Sequence, residues 1–132
     1  MSKIESLSSP RLPAPRFRYS PLVKAGPFYR SAGMIALDSN SGKLEAGGAE
    51  AEAAKILRNL REALPDFKLA LTDLVNVTIY TTDFANFLAI NRAWEAVFAA
   101  DCHLPARTSV GVSALPLGAT VEMEFTFYRE GA

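Results

Sequence analysis

The stretch DLVNVTIYTTDFANFLAINRAWEAVF, residues 73–98, decides the architecture. Val75, Val77 and Ile79 alternate with Asn76, Thr78 and Tyr80, a period of two that predicts a strand with one buried face. Phe87, Ile90, Trp94, Val97 and Phe98 then recur at helical spacing behind Asp83, a residue able to cap the helix. A strand leading into an amphipathic helix calls for a sheet with helices on it. Upstream, Ala53, Ile56, Leu57, Leu60, Ala63 and Leu64 form one apolar stripe, with Glu50 and Glu52 near its start and Arg58 and Arg61 near its end. Pro65 stops that helix.

Strands are expected at Phe17 to Lys24, broken by Pro21, at Phe28 to Leu37, and briefly at Lys43 to Glu45 beyond the Ser39-Asn40-Ser41-Gly42 turn. Downstream, Thr108, Val110 and Val112 alternate with Arg107, Ser109, Gly111 and Ser113. After a turn at Leu115 to Gly118, Val121, Met123, Phe125 and Phe127 alternate with Glu122, Glu124, Thr126 and Tyr128. The order reads β-β-β-α-β-α-β-β, an α+β domain whose two helices cover one face of a mixed sheet. The other face keeps Tyr29, Tyr80, Tyr128, Thr78 and Thr126, a surface suited to another subunit.

The 132 residues are 49% hydrophobic and 21% charged, which excludes disordered, collagen-like and disulfide-stapled classes. Ser and Pro crowd residues 2 to 15, so a flexible arm over 1–16 is expected ahead of a single domain over 17–132. Net charge is zero, against the positive field of a nucleic-acid binder. Residues 1–30 hold six basic side chains against Glu5 alone, read as a solvated basic arm, with contact to an RNA or an acidic partner as the alternative. The lone cysteine, Cys102, and the lack of an apolar leader or membrane-length run point to the cytoplasm.

Most catalytic templates fail. His103 is the only histidine, too few ligands for a metal, and no GxSxG, P-loop or GxGxxG motif signals a nucleophile or a cofactor. Gly47-Gly48 reads as a loop and cap rather than an anion cradle. What remains is Arg107, a planar fork for a carboxylate, and Glu122 on the polar side of the last strand. If the two C-terminal strands pair as a hairpin, Ser109 or Gly111 comes opposite the Glu122 region. Arg107 and Glu122 then face one cleft, as a site or as a structural ion pair. Asn91, inside an apolar helix face, must find partners either in a loop or in a pocket.

Pro105-Ala106-Arg107, with Glu122 fifteen residues after the arginine in Val121-Glu122-Met123, resembles the C-terminal signature of the Rid/YjgF (L-PSP endoribonuclease-like) family. Arg18-Tyr19-Ser20-Pro21, Ser31-Ala32-Gly33-Met34-Ile35, Asn40 to Leu44, Val77 to Tyr80 and Phe87 to Asn91 are similar to further family segments, in order. The resemblance implies a chorismate-mutase-like fold and a homotrimer with pockets between subunits. It also implies hydrolytic deamination of reactive 2-imino or enamine acids to 2-keto acids and ammonia, without a cofactor or metal. Carried over by position, Arg107 binds the substrate carboxylate and Glu122 places the attacking water. Gly33, Tyr19, Asn91 and Ser109 contact or shape the substrate site. Ala32, Met34 and Ser109 depart from the family's usual serine, glutamine and cysteine. A non-catalytic small-carboxylate-binding or regulatory module of the same fold is the alternative.

Overall fold

The computed structural model describes residues 3–99 and 102–131. Along the chain come β1 (Ile4–Leu7), β2 (Leu22–Ala25), β3 (Phe28–Ser31), α1 (Gly48–Ala63), β4 (Leu74–Thr81), α2 (Phe87–Val97), β5 (Ala106–Gly111) and β6 (Val121–Tyr128). The strands make a sheet in the order β1-β2-β3-β6-β4-β5. Only β4 and β5 run parallel; the other pairings are antiparallel. A helical crossover is what a parallel pair needs, and α2 supplies it. Both helices lie on one face, giving the α+β mixed sheet expected.

That face holds the core. Val121, Met123, Phe125 and Phe127 of β6 and Val77 and Ile79 of β4 meet Ile56, Leu57 and Leu60 of α1 and Ile90 and Trp94 of α2. The alternation of β6 is realised residue for residue. On β4 it is displaced at its start. A bulge between Leu74 and Asn76 buries Leu74 and leaves Val75 exposed, because the extra residue reverses which side chain faces inward. Gly47, at φ +116, is the N-cap of α1, and its backbone angle is one that glycine adopts freely.

Several boundaries differ from the sequence reading. The expected first strand shortens to Leu22–Ala25, directly behind Pro21. The second ends at Ser31, because the chain leaves the sheet at Ala32-Gly33 and touches it again only at the Met34–Met123 bridge. Lys43 to Glu45 contributes just the Leu37–Leu44 bridge. Asp83 does not cap α2; it precedes a 3-10 turn over Phe84–Asn86, and Asn86 is the N-cap. Tyr29 is not on the open face. It pairs with Phe127 and is buried under the helices, while Phe28 takes the outward position beside Tyr128.

In the segment over 1–16, of which residues 1 and 2 lie outside the described part, the composition suggests a loose arm but the chain adds an edge strand. Ile4 to Leu7 pair with Ala25 to Leu22, and Leu12 is buried in the core. The Ser9 hydroxyl donates to Asp66 at 2.6 Å, and the Arg11 guanidinium does so at 2.9 Å. Arg16 and Lys24 donate to the Gly42 and Gly26 carbonyls, and Arg30 pairs with Glu124. These basic groups are engaged within the chain. No helix among the described residues is long and apolar enough to cross a membrane.

Candidate functional site

Where the chain leaves the sheet at Ala32-Gly33, it opens a cavity of about 750 Å³ between the N-terminal segment and the start of β6. Tyr19, Gly33 and Glu122 all line it. Glu122 follows Val121, whose buried side chain fixes the phase of β6 and turns the glutamate outward, away from the helices. The strand is held there by Glu52 of α1, which is buried. Its Oε1 accepts the Thr120 and Val121 backbone N–H groups at 2.8 and 3.2 Å.

Glu122 is half-buried, and among the described residues it has no ion-pair partner. Burial raises its pKa above the ordinary glutamate value, and the neighbouring Glu124 charge raises it further. Glu124 is itself occupied by the Tyr80 hydroxyl at 2.6 Å and by Arg30 at 3.2 Å. Gly33 abuts Glu122 so closely that a methyl at its Cα would collide with the carboxylate. The constraint there is space, not backbone angle: any side chain would push the Glu122 carboxylate aside.

Arg107 stands elsewhere. The strands at the C-terminus do not form a hairpin: β5 pairs with β4, and β6 lies on the other side of β4. Arg107 is opposite Val77, whose side chain is in the core, so Arg107 points to the helix side. There its Nη1 donates to Asn91 Oδ1 at 2.8 Å, and its guanidinium lies 5.0 Å from the Trp94 ring and 5.4 Å from that of Phe87. Phe87, Asn91 and Trp94 share one face of α2, so the helix presents a plate with a polar notch for an arginine. Ser109, two residues on, faces the same side.

Glu122 is opposite Tyr80 and points to the other face. The expectation that Arg107 and Glu122 share one cleft of one chain is therefore overturned. The sheet separates them, and they form no ion pair. The six candidate residues divide into two groups: Tyr19, Gly33 and Glu122 at the cavity, and Asn91, Arg107 and Ser109 at the β5 edge. Asn91 finds its partner in Arg107 rather than in a loop.

The Endoribonuclease L-PSP family profile matches residues 10–128. The chain belongs to the Rid/YjgF (L-PSP) family. A RutC family protein of Aquifex aeolicus is 35% identical over 121 residues, covering 92% of this chain and 96% of that one. The 2-iminobutanoate/2-iminopropanoate deaminase of Rattus norvegicus is 33% identical over 118 residues, 89% of this chain and 85% of that one. The solved structure of YyfA, a Rid-family protein of Yersinia pestis, superposes with a TM-score of 0.89 at 25% identity, covering 96% and 99%.

Within this Rid-family chain, five contributors escape a reading by motif. Phe87 and Trp94 reveal themselves only as the plate beneath Arg107, although their spacing around Asn91 on α2 carries the signal. Glu52 reads as a dipole-favoured helix residue, and nothing local announces its contact with β6. Phe17, ahead of the observed strand, and Leu117, in a turn, line the cavity from irregular segments.

Proposed function

We propose that this chain hydrolyses reactive 2-imino or enamine acids to 2-keto acids and ammonia, at sites shared between copies of a cytoplasmic homotrimer. One observation carries the reading: a carboxylate with no ion-pair partner among the described residues, its proton affinity raised, sits in a mostly apolar cavity against the backbone of Gly33. The likeness to proteins named imine deaminases supports it. Because Arg107 and Glu122 lie on opposite faces, the acid-binding guanidinium of one copy must meet the carboxylate of the next. The outward face, with Phe28, Val110 and Tyr128 exposed, offers surface for such contact.

In this scheme Arg107, oriented by Asn91, pairs with the substrate carboxylate. Glu122 holds a water near the imine carbon and takes its proton as the oxygen adds. From the protonated imine this gives a carbinolamine, and the same proton passes to its amine nitrogen. The hydroxyl then closes to the carbonyl as the C–N bond breaks, its proton goes to Glu122, and ammonia leaves the 2-keto acid. Imines already hydrolyse quickly in water, so holding the acid and placing one water is sufficient catalysis.

The direct test couples the protein to a threonine dehydratase and follows imine loss through semicarbazide trapping. Faster imine loss supports the reading, and no effect at any protein concentration removes it. Co-expressing Arg107→Ala and Glu122→Gln chains tests the shared site. Mixed rings joined head to tail regain about a quarter of wild-type activity by random pairing, whereas a site within one chain regains none.

Gly33→Ala is expected to displace the Glu122 carboxylate and lower kcat by about tenfold or more, with a thermal midpoint close to wild type. Initial rates check it; an unchanged kcat would detach Glu122's position from the chemistry. Ala32 favours a second reading. It offers the cavity a methyl with no hydroxyl for a ligand, as a binding module for small carboxylates requires no catalytic contact. Binding of 2-ketobutyrate without turnover would select it.

A further inference from the structure

In the single chain the cavity is larger than a three- or four-carbon acid fills. About 750 Å³ lies in the range that encloses ligands of drug size, roughly 300–1,000 Å³. Its lining is apolar apart from Glu122, Tyr19 and Arg16, and Arg16 is tied to the Gly42 carbonyl at 3.0 Å. Ala32, Met34 and Ile35 supply one wall. Two further side chains line it from exposed positions: Phe17 at 80% and Leu117 at 54%.

Leu117 is the informative one. Its backbone is left-handed, φ 57 and ψ 24, a region that residues other than glycine, asparagine and aspartate seldom occupy. A glycine would relieve that strain, and an exposed leucine adds little to the core. Strain retained at a residue that lines a cavity points to use of its side chain there.

The geometry points to a substrate acid with a large apolar side chain, branched aliphatic or aromatic, whose carbon skeleton lies along Phe17, Met34, Ile35 and Leu117 while its reacting carbon sits at Glu122. The chemistry rests on the imine-hydrolase reading above; the preference for apolar acids does not. Each methylene taken out of water is worth about fourfold in affinity. A leucine-derived acid should thus be favoured over an alanine-derived one by at least about tenfold, allowing for incomplete burial.

Two measurements on the protein test this. In the first, imino acids are generated by an amino-acid oxidase from alanine, leucine and phenylalanine, and kcat/KM is read by semicarbazide trapping. The leucine- and phenylalanine-derived imines should exceed the alanine-derived one by about tenfold or more. In the second, dissociation constants for pyruvate, 4-methyl-2-oxopentanoate and phenylpyruvate are measured calorimetrically, without any turnover. The larger keto acids should bind about tenfold or more tightly than pyruvate.

If no imine is hydrolysed but the keto-acid ratio holds, the catalytic reading falls and the apolar-acid site stands. Equal or inverted ratios, or no keto acid bound at all, overturn the inference. Leu117→Asn, which suits the left-handed backbone, should cut the large-to-small ratio by about fivefold without lowering the thermal midpoint. Phe17→Ser should cut it similarly. Ratios unmoved in both variants, with the wild-type oligomeric mass retained, would also overturn the assignment.

Discussion

Arg107→Ala is expected to lower kcat/KM for imino acids by about 30- to 5,000-fold, the equivalent of removing one partner of a desolvated charge pair, about 2–5 kcal/mol. The guanidinium has no acidic partner among the described residues, so its charge is free for a ligand. Asn91 fixes one nitrogen, and the Trp94 and Phe87 rings support the plane, leaving the rest of the fork to meet a carboxylate. Arg107→Lys should recover little, since an ammonium cannot present two parallel donors. Asn91→Ala should raise KM more than it lowers kcat, because it loosens the fork without removing the charge. Folding should be nearly unaffected, as Arg107 is exposed on an edge strand and its stacking there is worth about 0.5–1 kcal/mol. Steady-state kinetics with a thermal midpoint for each variant decide the matter. Wild-type kcat/KM in Arg107→Ala would dismiss the acid-binding role.

Glu122→Gln is expected to lower kcat by about 10²–10⁴-fold, the usual contribution of a positioned general base. Its effect on stability should have the opposite sign. The pKa of Glu122 is raised in the folded chain, first by burial and then by the Glu124 charge. The native state therefore holds its proton more tightly than the unfolded chain does. Stability is lost as pH climbs from the ordinary glutamate value near 4.5 through the raised folded value, and the deficit is complete above it. Glutamine has no such slope, so Glu122→Gln should be the more stable protein at neutral pH, with the advantage fading as pH falls from the raised folded value to about 4.5 and gone below it. For activity, the wild-type acid limb should lie above the ordinary glutamate range. Glu124→Gln should move that limb to lower pH by removing the second cause. A neutral-pH midpoint for Glu122→Gln below wild type would contradict this account.

Much of the fold was legible in the chain. The alternation in Val121 to Tyr128 fixed the inward face of β6, and the stripe from Ala53 to Leu64 fixed that of α1, because burial imposes the period of each element on its own residues. The identity of Arg107, Glu122, Gly33, Tyr19, Asn91 and Ser109 as candidates also came from sequence, through residue type and family likeness. Their partition did not. Strand order is a long-range property: local pattern says that Val110 and Val121 each belong to strands, but not that β4 lies between those strands. Inserting that one strand, with β5 parallel to it, sends Arg107 toward α2 and Glu122 toward the opposite face. The same limit applies at Leu74, where a bulge exchanged Val75 for its neighbour, and at Ile4 to Leu7, where a polar lead-in found a sheet edge. Side-chain period fixes which residues share a face of one element; only packing of the whole chain decides which elements become neighbours.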